Sequence, residues 1–255
     1  MKLACLRSGG GEPEVFLSEQ GEGPSAGERC VFVRASFCNL YCRWCDTEYT
    51  WNWEGTVYGH DRDGEAGYAK YRKEDEVVEL AVEEVAERVR GFACGRVVMT
   101  GGEPLVQRGE CERLLEILRR GGGEWYFEME TNGTIMPGPD LAGESGVDQF
   151  NVSPKLANSG VPKEARLKED VLGFFAGFER AYFKFVVCDE RDVREVGEMV
   201  ERCGMDRERV YLMPEGVTAA ALDARVGWVV EVCEAEGYQF SDRKHVREFG
   251  GGRGV

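Results

Sequence analysis

The sequence predicts an α/β fold built as an open, partial (β/α)6-type barrel, on three observations. Short runs rich in β-branched and aromatic residues recur along the chain, amphipathic stretches of helical period lie between them, and the unusual polar motifs fall at or just after the ends of the apolar runs. Strands are expected at Cys30–Arg34, Arg96–Thr100, Trp125–Glu130, Gln149–Val152, Ala181–Val187 and Arg209–Met213. Val78, Val82, Val85 and Val89 recur at helical spacing, as do Leu222, Val226, Val229 and Cys233. Leu114, Leu115 and Leu118 mark a further helix, which the glycines at 121 to 123 stop. Such alternation argues for a parallel sheet with helical crossovers. Six strands are too few to close an eight-fold barrel, so the sheet is expected to stay open. Residues 54–73, glycine-rich, charged and aperiodic, read as a loop insertion, and Gly250–Val255 reads as a flexible tail. The whole chain, 1–255, reads as one domain.

Composition narrows the function. The 255 residues are 42% hydrophobic and 31% charged, an ordinary globular balance that can bury a substantial core. No uninterrupted apolar run is long enough to span a bilayer, and the apolar start is too short for a secretory signal, so a cytoplasmic protein without a membrane partner is expected. The net charge of −15 argues against direct nucleic-acid binding, because a phosphate backbone needs a Lys/Arg patch; the run Arg243–Lys244–Arg247 is short and mixed with acids. The ten cysteines are scattered except for Cys38, Cys42 and Cys45. Reduced thiols are expected instead of a disulfide framework, and Cys30, Cys94, Cys188 and Cys233 lie in or beside apolar segments with no role assigned.

Cys38-Asn-Leu-Tyr-Cys42-Arg-Trp-Cys45 places three thiolates in one short loop after a strand. A structural zinc would need a fourth ligand, for which the chain offers His60 and His245 but no second Cys-x-x-Cys pair. A [4Fe–4S] cube held by three thiolates keeps one iron open, where the amino and carboxylate groups of S-adenosylmethionine can chelate. The spacing, with aromatic Trp44 before the last cysteine, resembles the signature of the radical S-adenosylmethionine superfamily. A second motif, Thr100-Gly101-Gly102-Glu103-Pro104, resembles that superfamily's GGEP segment, whose backbone and acid meet the methionyl amino group. Its physical logic is plain: glycines admit close approach of a ligand, and a carboxylate pairs with an ammonium.

Further segments are similar to those of the 7-carboxy-7-deazaguanine synthase family of the 7-deazapurine (queuosine and archaeosine) pathway. They are Gln20-Gly-Glu-Gly-Pro, Arg34 at a strand end, Cys45-Asp46-Thr47 with Tyr49-Thr-Trp-Asn, Glu130-Thr-Asn-Gly, Val152-Ser-Pro-Lys155, Phe183-Lys184-Phe and the terminal Arg253-Gly-Val255. The resemblance implies a radical ring contraction of 6-carboxy-5,6,7,8-tetrahydropterin to 7-carboxy-7-deazaguanine with loss of ammonia. It implies three cofactors, the [4Fe–4S] cluster, S-adenosylmethionine and Mg2+, together with a reductant such as flavodoxin or ferredoxin, and a homodimer.

The same resemblance assigns residues. Cys38, Cys42 and Cys45 would hold the cluster and Thr47 the magnesium. Glu19, Gln20, Gly21 and Glu22 would meet the pterin, Arg34 its carboxylate, and Thr100 and Glu130 its polar edge. His245 and the carboxylate of Val255 would close the substrate pocket. Trp44, Asp46, Gly101, Gly102, Glu103, Ser153, Pro154, Lys155, Lys184, Met213, Pro214, Glu215 and Gly216 would line the S-adenosylmethionine pocket. Plainer readings stand beside these: Arg34 as a surface ion pair, Ser153-Pro-Lys as a turn, Thr47 as a capping hydroxyl, Lys184 snorkelling at a barrel edge and His245 as a tail residue. A radical S-adenosylmethionine activase that installs a glycyl radical on a partner protein shares the cysteine spacing. A zinc-stabilised binding module is the alternative from another class.

Overall fold

The computed structural model describes residues 1–250 and 252–255. The strands among them are β1 (Lys2–Ala4), β2 (Val15–Glu19), β3 (Arg29–Ala35), β4 (Val77–Glu79), β5 (Arg96–Gly101), β6 (Tyr126–Thr131), β7 (Gln149–Val152), β8 (Ala181–Val187), β9 (Val210–Pro214) and β10 (Gln239–Phe240). β3, β5, β6, β7, β8, β9 and β10 lie side by side in that order, each pair parallel. β1 and β2 pair antiparallel with β3, and β4 pairs antiparallel with β1. The ends of this sheet, β10 and β4, do not pair, so the barrel is open as expected.

All six expected strands are present, each bounded within one residue of the sequence reading. The short strands β1, β2, β4 and β10 were not expected. Val78 is corrected: it lies in β4, and the helix runs from Val82 to Arg90. Apolar residues four apart fit a helix, but pairing of residues 77–79 with β1 overrides that local preference.

The helices cover one face of the sheet because strand alternation makes that face apolar. Val31, Val33, Val97, Met99, Phe127, Met129, Phe150, Val152, Phe183 and Phe185 form one core with helical Val85, Leu114, Leu118, Val196 and Val229. Each such side chain contributes about 1.5–3 kcal/mol on burial. A one-residue slip would turn the whole set to the other face, so burial fixes register. Local chemistry sets the helix ends. Asp189 accepts from Arg191 N–H at the start of Glu190–Cys203, Thr218 accepts from Ala221 N–H at the start of Ala219–Glu236, and left-handed Gly204 and Gly237 end them. Leu222, Val229 and Cys233 are buried as their spacing predicts, and Gly121 follows the last turn of Arg108–Arg120.

The intervening positions, among them Arg34, Thr100, Glu130, Asn151 and Lys184, belong to the opposite, concave face. Its floor is a polar layer: Gln149 donates to Ser25 and Asn151 (2.9 Å each), Asn151 donates to Glu128 (3.0 Å), and Glu128 pairs with Arg96. Ser25 comes from the β2–β3 connection, which enters the lumen from the strands' amino ends. No helix among the described residues is long and apolar enough to cross a membrane.

Candidate active site

β3 delivers the cysteine loop to the carboxyl edge of the sheet. At Phe37 the backbone turns into the left-handed region (φ 73°), and its carbonyl accepts from Glu103 N–H at 2.9 Å. Cys38, Cys42 and Cys45 lie in one small pocket with Leu40, Val161 and Ala165. Leu40 N–H donates to Cys38 Sγ (3.4 Å), and Thr47 Oγ1 lies 3.5 Å from Cys45 Sγ. Burial pushes each thiol up, Cys42 to about 12, so cationic metal must displace the protons for these groups to ligate. Among the described residues no three His, Cys, Asp or Glu side chains converge on a single-ion position. Three thiols gathered in one cluster supply the ligand set of a cubane, in which each thiolate takes a different iron.

The glycines of the next motif are required by packing. Gly101 has φ 119°, and a Cβ there would collide with the Ala35 backbone; one on Gly102 would collide with Phe37. Glu103 is fully enclosed and accepts from Leu105 N–H (3.0 Å), Thr131 Oγ1–H (2.9 Å) and Asn132 N–H (2.6 Å). It therefore ties this loop to the end of β6. Asn132 donates to Asn39, and Asn39 to Thr134, at 2.8 Å each, so the same loop also grips the cysteines' loop. Asn39 and Thr134 carry no signal in the sequence, and Asn132 stands in the Glu130-Thr-Asn-Gly segment with no role assigned to it.

Deeper in the lumen lies a buried ionic group. Lys184 Nζ bridges Glu22 (2.9 Å) and Glu130 (3.0 Å), and Thr100 donates to Glu130 (2.6 Å). Arg243 pairs with Glu22 (3.1 Å) and Asp46 and donates to the Gly216 carbonyl (2.8 Å). Burial alone would raise Glu22, but Lys184, Arg243 and His245 override it and hold the carboxyl far below the usual range. Glu130 and Asp46 are likewise lowered against burial, by Lys184 and by Arg243 respectively. Lys184 is thus enclosed, not at a barrel edge. Arg243 was read as part of a short basic run mixed with acids; it is the buried link between the Gln20–Gly23 segment, the cysteine loop and the turn after β9.

Around this group, Gln20 Nε2 donates to Glu130 (3.3 Å), Lys244 N–H donates to the Gly21 carbonyl (3.0 Å), and Lys244 pairs with Glu19. A Cβ on Gly21 would run into the His245 ring, whose Nε2 lies 3.9 Å from Glu22. On the far side, Trp44 Nε1–H donates to Asn158 (3.2 Å), Lys155 lies over the Trp44 ring (5.7 Å) and donates to Ser153 (2.8 Å). Trp44, Asn158, Cys188, Asp192 and Glu215 are among the residues lining a cavity of about 490 Å³ here. Met213 and Pro214 end β9, and Pro154 follows β7, at this same edge.

Arg34 stands apart with its own partners. Its Nε lies 2.9 Å from Glu14, off the line of a hydrogen bond, and Tyr49 O–H donates to the other oxygen of Glu14 (2.9 Å). Neither terminal nitrogen of Arg34 has a hydrogen-bond partner among the described residues. Arg253 and Gly254 of the tail are tied down, against the expectation from its glycines. Arg253 pairs with buried Glu76 (2.6 Å) and stacks over Tyr49 (3.6 Å), and Gly254 N–H reaches Glu14 (3.3 Å). Gly251 lies outside the described residues, and Val255 follows Gly254 with its side chain toward Gly252.

Residues 32–182 match the radical SAM superfamily model. A 7-carboxy-7-deazaguanine synthase of Pyrobaculum aerophilum is 36% identical, the match covering 94% of this chain and 95% of that protein. The chain belongs to the 7-carboxy-7-deazaguanine synthase family, within the radical SAM superfamily. A second member, from Hyperthermus butylicus, is 39% identical over 83% of this chain and 79% of its own. The crystal structure of QueE from Escherichia coli superposes with a TM-score of 0.63 over 96% of this chain and 95% of that one; at 24% identity it speaks for the shared fold. Superfamily membership implies a [4Fe–4S] cluster and S-adenosylmethionine, in agreement with the thiol pocket.

Proposed function

We propose that the protein is a 7-carboxy-7-deazaguanine synthase. It converts 6-carboxy-5,6,7,8-tetrahydropterin to 7-carboxy-7-deazaguanine, with loss of ammonia, in a 7-deazapurine pathway. The observation that carries the reading is Arg34, whose terminal nitrogens have no hydrogen-bond partner among the described residues, on the same concave face as an ion-paired carboxylate, Glu130. Such a pair suits a flat heterocycle bearing a carboxylate at one end and N–H donors at the other.

Cys38, Cys42 and Cys45 hold the cluster, which with S-adenosylmethionine supplies a 5′-deoxyadenosyl radical when both are bound. The chain's own residues do the rest. Arg34 binds the substrate carboxylate, and its charge is held in place from behind by Glu14. Glu130, kept anionic by Lys184, accepts from the pterin's amidine-like N–H groups, with Thr100 beside it. Glu19, Gln20, Gly21, Glu22, His245 and the Val255 carboxylate complete the substrate wall. Gly101, Gly102, Ser153, Pro154, Lys155 and residues 213–216 form the S-adenosylmethionine side with Trp44 and Asp46. Glu103 acts there through the loop it holds. Thr47 gives magnesium one hard oxygen ligand, a site that substrate oxygens must complete. A flavodoxin or ferredoxin as electron donor, a homodimer and a cytoplasmic setting with no nucleic-acid or membrane partner belong to this reading. The activase alternative has no comparable support, since the matched relatives are synthases over most of their length.

The test is anaerobic turnover of reconstituted protein with the pterin, S-adenosylmethionine, magnesium and a strong reductant, followed by mass and ultraviolet absorption. The product is expected with wild-type protein and absent with Cys42→Ala. A cluster that cleaves S-adenosylmethionine while the pterin survives would overturn the substrate; failure to bind any cluster would overturn the whole reading.

A further inference from the structure

The 54–73 segment carries no part of the reaction described above, yet it grips the cysteine loop at Tyr41 and Arg43, between the thiols, and at Cys45 itself. Tyr58 stacks on Tyr41 with ring centroids 3.7 Å apart. Asp61 pairs with Arg43 (2.6 Å), and its N–H donates to the Arg43 carbonyl (2.7 Å). His60 Nε2 lies 2.9 Å from the Cys45 carbonyl oxygen. Lys70 braces the segment internally by donating to the carbonyls of Thr56 (3.0 Å) and Tyr58 (2.7 Å).

The His60 contact is the specific one. The ring is 7% exposed and lies near Trp51 (6.1 Å) and Tyr68 (6.3 Å). Its Nδ1 accepts from Arg62 N–H at 3.2 Å, and a carbonyl oxygen can only accept, so Nε2 carries the hydrogen and donates to Cys45. Because the peptide is planar and trans, fixing that carbonyl also fixes the N–H of Asp46 on the opposite side. Cys45 N–H is in turn held by the Cys42 carbonyl (3.2 Å), so the peptide on each side of this ligand is held. A nearby peptide dipole and the access of water are two of the levers by which a protein sets the stability and redox behaviour of an iron–sulfur centre.

We propose that the 54–73 segment is a cover for the cluster, with His60 as the positioning residue for the Cys45 ligand. His60 orients the ligand's peptide, and the Tyr58–Tyr41 stack closes the solvent edge of the loop against water and oxygen. The inference rests on the cluster assignment, and its test separates the two.

The experiment uses reconstituted full-length protein and reads the cluster itself: the rate of visible bleaching in air, the EPR signal of the reduced cluster, and the melting temperature. His60→Phe keeps the ring and removes the donor; His60→Gln restores an N–H at the reach of Nε2; Tyr58→Ala opens the exposed stack. His60→Phe is expected to bleach several-fold faster than wild type with an altered EPR signal, His60→Gln to return toward wild type, and Tyr58→Ala to bleach faster with an unchanged melting temperature. Wild-type bleaching and EPR in both His60→Phe and Tyr58→Ala would overturn the proposal. So would a His60→Phe protein that melts earlier but keeps the wild-type EPR signal and cluster lifetime, since His60 would then be merely structural. If wild-type protein binds no cluster, the proposed function fails first and this inference with it.

Discussion

Arg34 shows how much one residue's neighbours decide. A strand-end arginine can read as an ion pair or as an anion site; in the fold its Nε lies 2.9 Å from Glu14, and the proposed function uses its terminal nitrogens for the substrate carboxylate. A hydrogen bond to a charged group contributes about 1.5–3 kcal/mol. Arg34→Ala is therefore expected to lower kcat/KM for the pterin about 100-fold or more while cluster absorbance and S-adenosylmethionine binding persist. Normal turnover by this variant would remove the carboxylate-clamp assignment. Arg243 and Glu14 make the complementary point. Nothing near them in the sequence marks them, because their partners lie far along the chain.

At the scale of elements, the glycines separate into those the backbone needs and those it does not. Gly101 combines φ 119° with backbone contact to Ala35, so Gly101→Ala is expected to destabilise by about 2 kcal/mol or more. Gly109 sits in the helix Arg108–Arg120 with open space where a Cβ would go, so Gly109→Ala is expected to stabilise by about 0.5 kcal/mol. Urea denaturation of the two variants beside wild type checks both. A Gly101→Ala protein as stable as wild type would mean the loop tolerates another path. The long strands were legible because burial on the helix-covered face imposes apolar alternation. The edge strands were not, because three residues of β1 or β4 carry no period of their own and exist only through each other.

The whole molecule concentrates charge inside an open barrel, and this makes its stability depend on acid. Glu22, Glu130 and Asp46 have carboxyls held below their ordinary values of 4.5 and 3.8, against burial, by Lys184, Arg243 and His245. A carboxyl lowered in the folded state contributes stability above its unfolded value and loses it as pH falls through the folded one. Unfolding midpoints are expected to be steady from about pH 7 to about pH 5 and to fall steeply below about pH 4.5. Glu22→Gln should flatten that acid limb, as urea titrations across this range would show. An acid limb identical in the variant would place the sensitivity elsewhere.

The sequence by itself determined the parallel strand order's raw material, the cysteine loop, the glycine motif and the family, because each is written in residues close together along the chain. Backbone φ, thiol spacing and alternation are local properties, and local properties survive without coordinates. Only the tertiary structure decided that Lys184 bridges two acids, that Arg243 is a buried link, that Arg253 pairs with Glu76 and that His60 meets the Cys45 carbonyl. Those are meetings between distant residues. For the three ionic ones, the selecting energy is the penalty of leaving a buried charge without its partner, about 3–5 kcal/mol, and no stretch of sequence carries that energy alone.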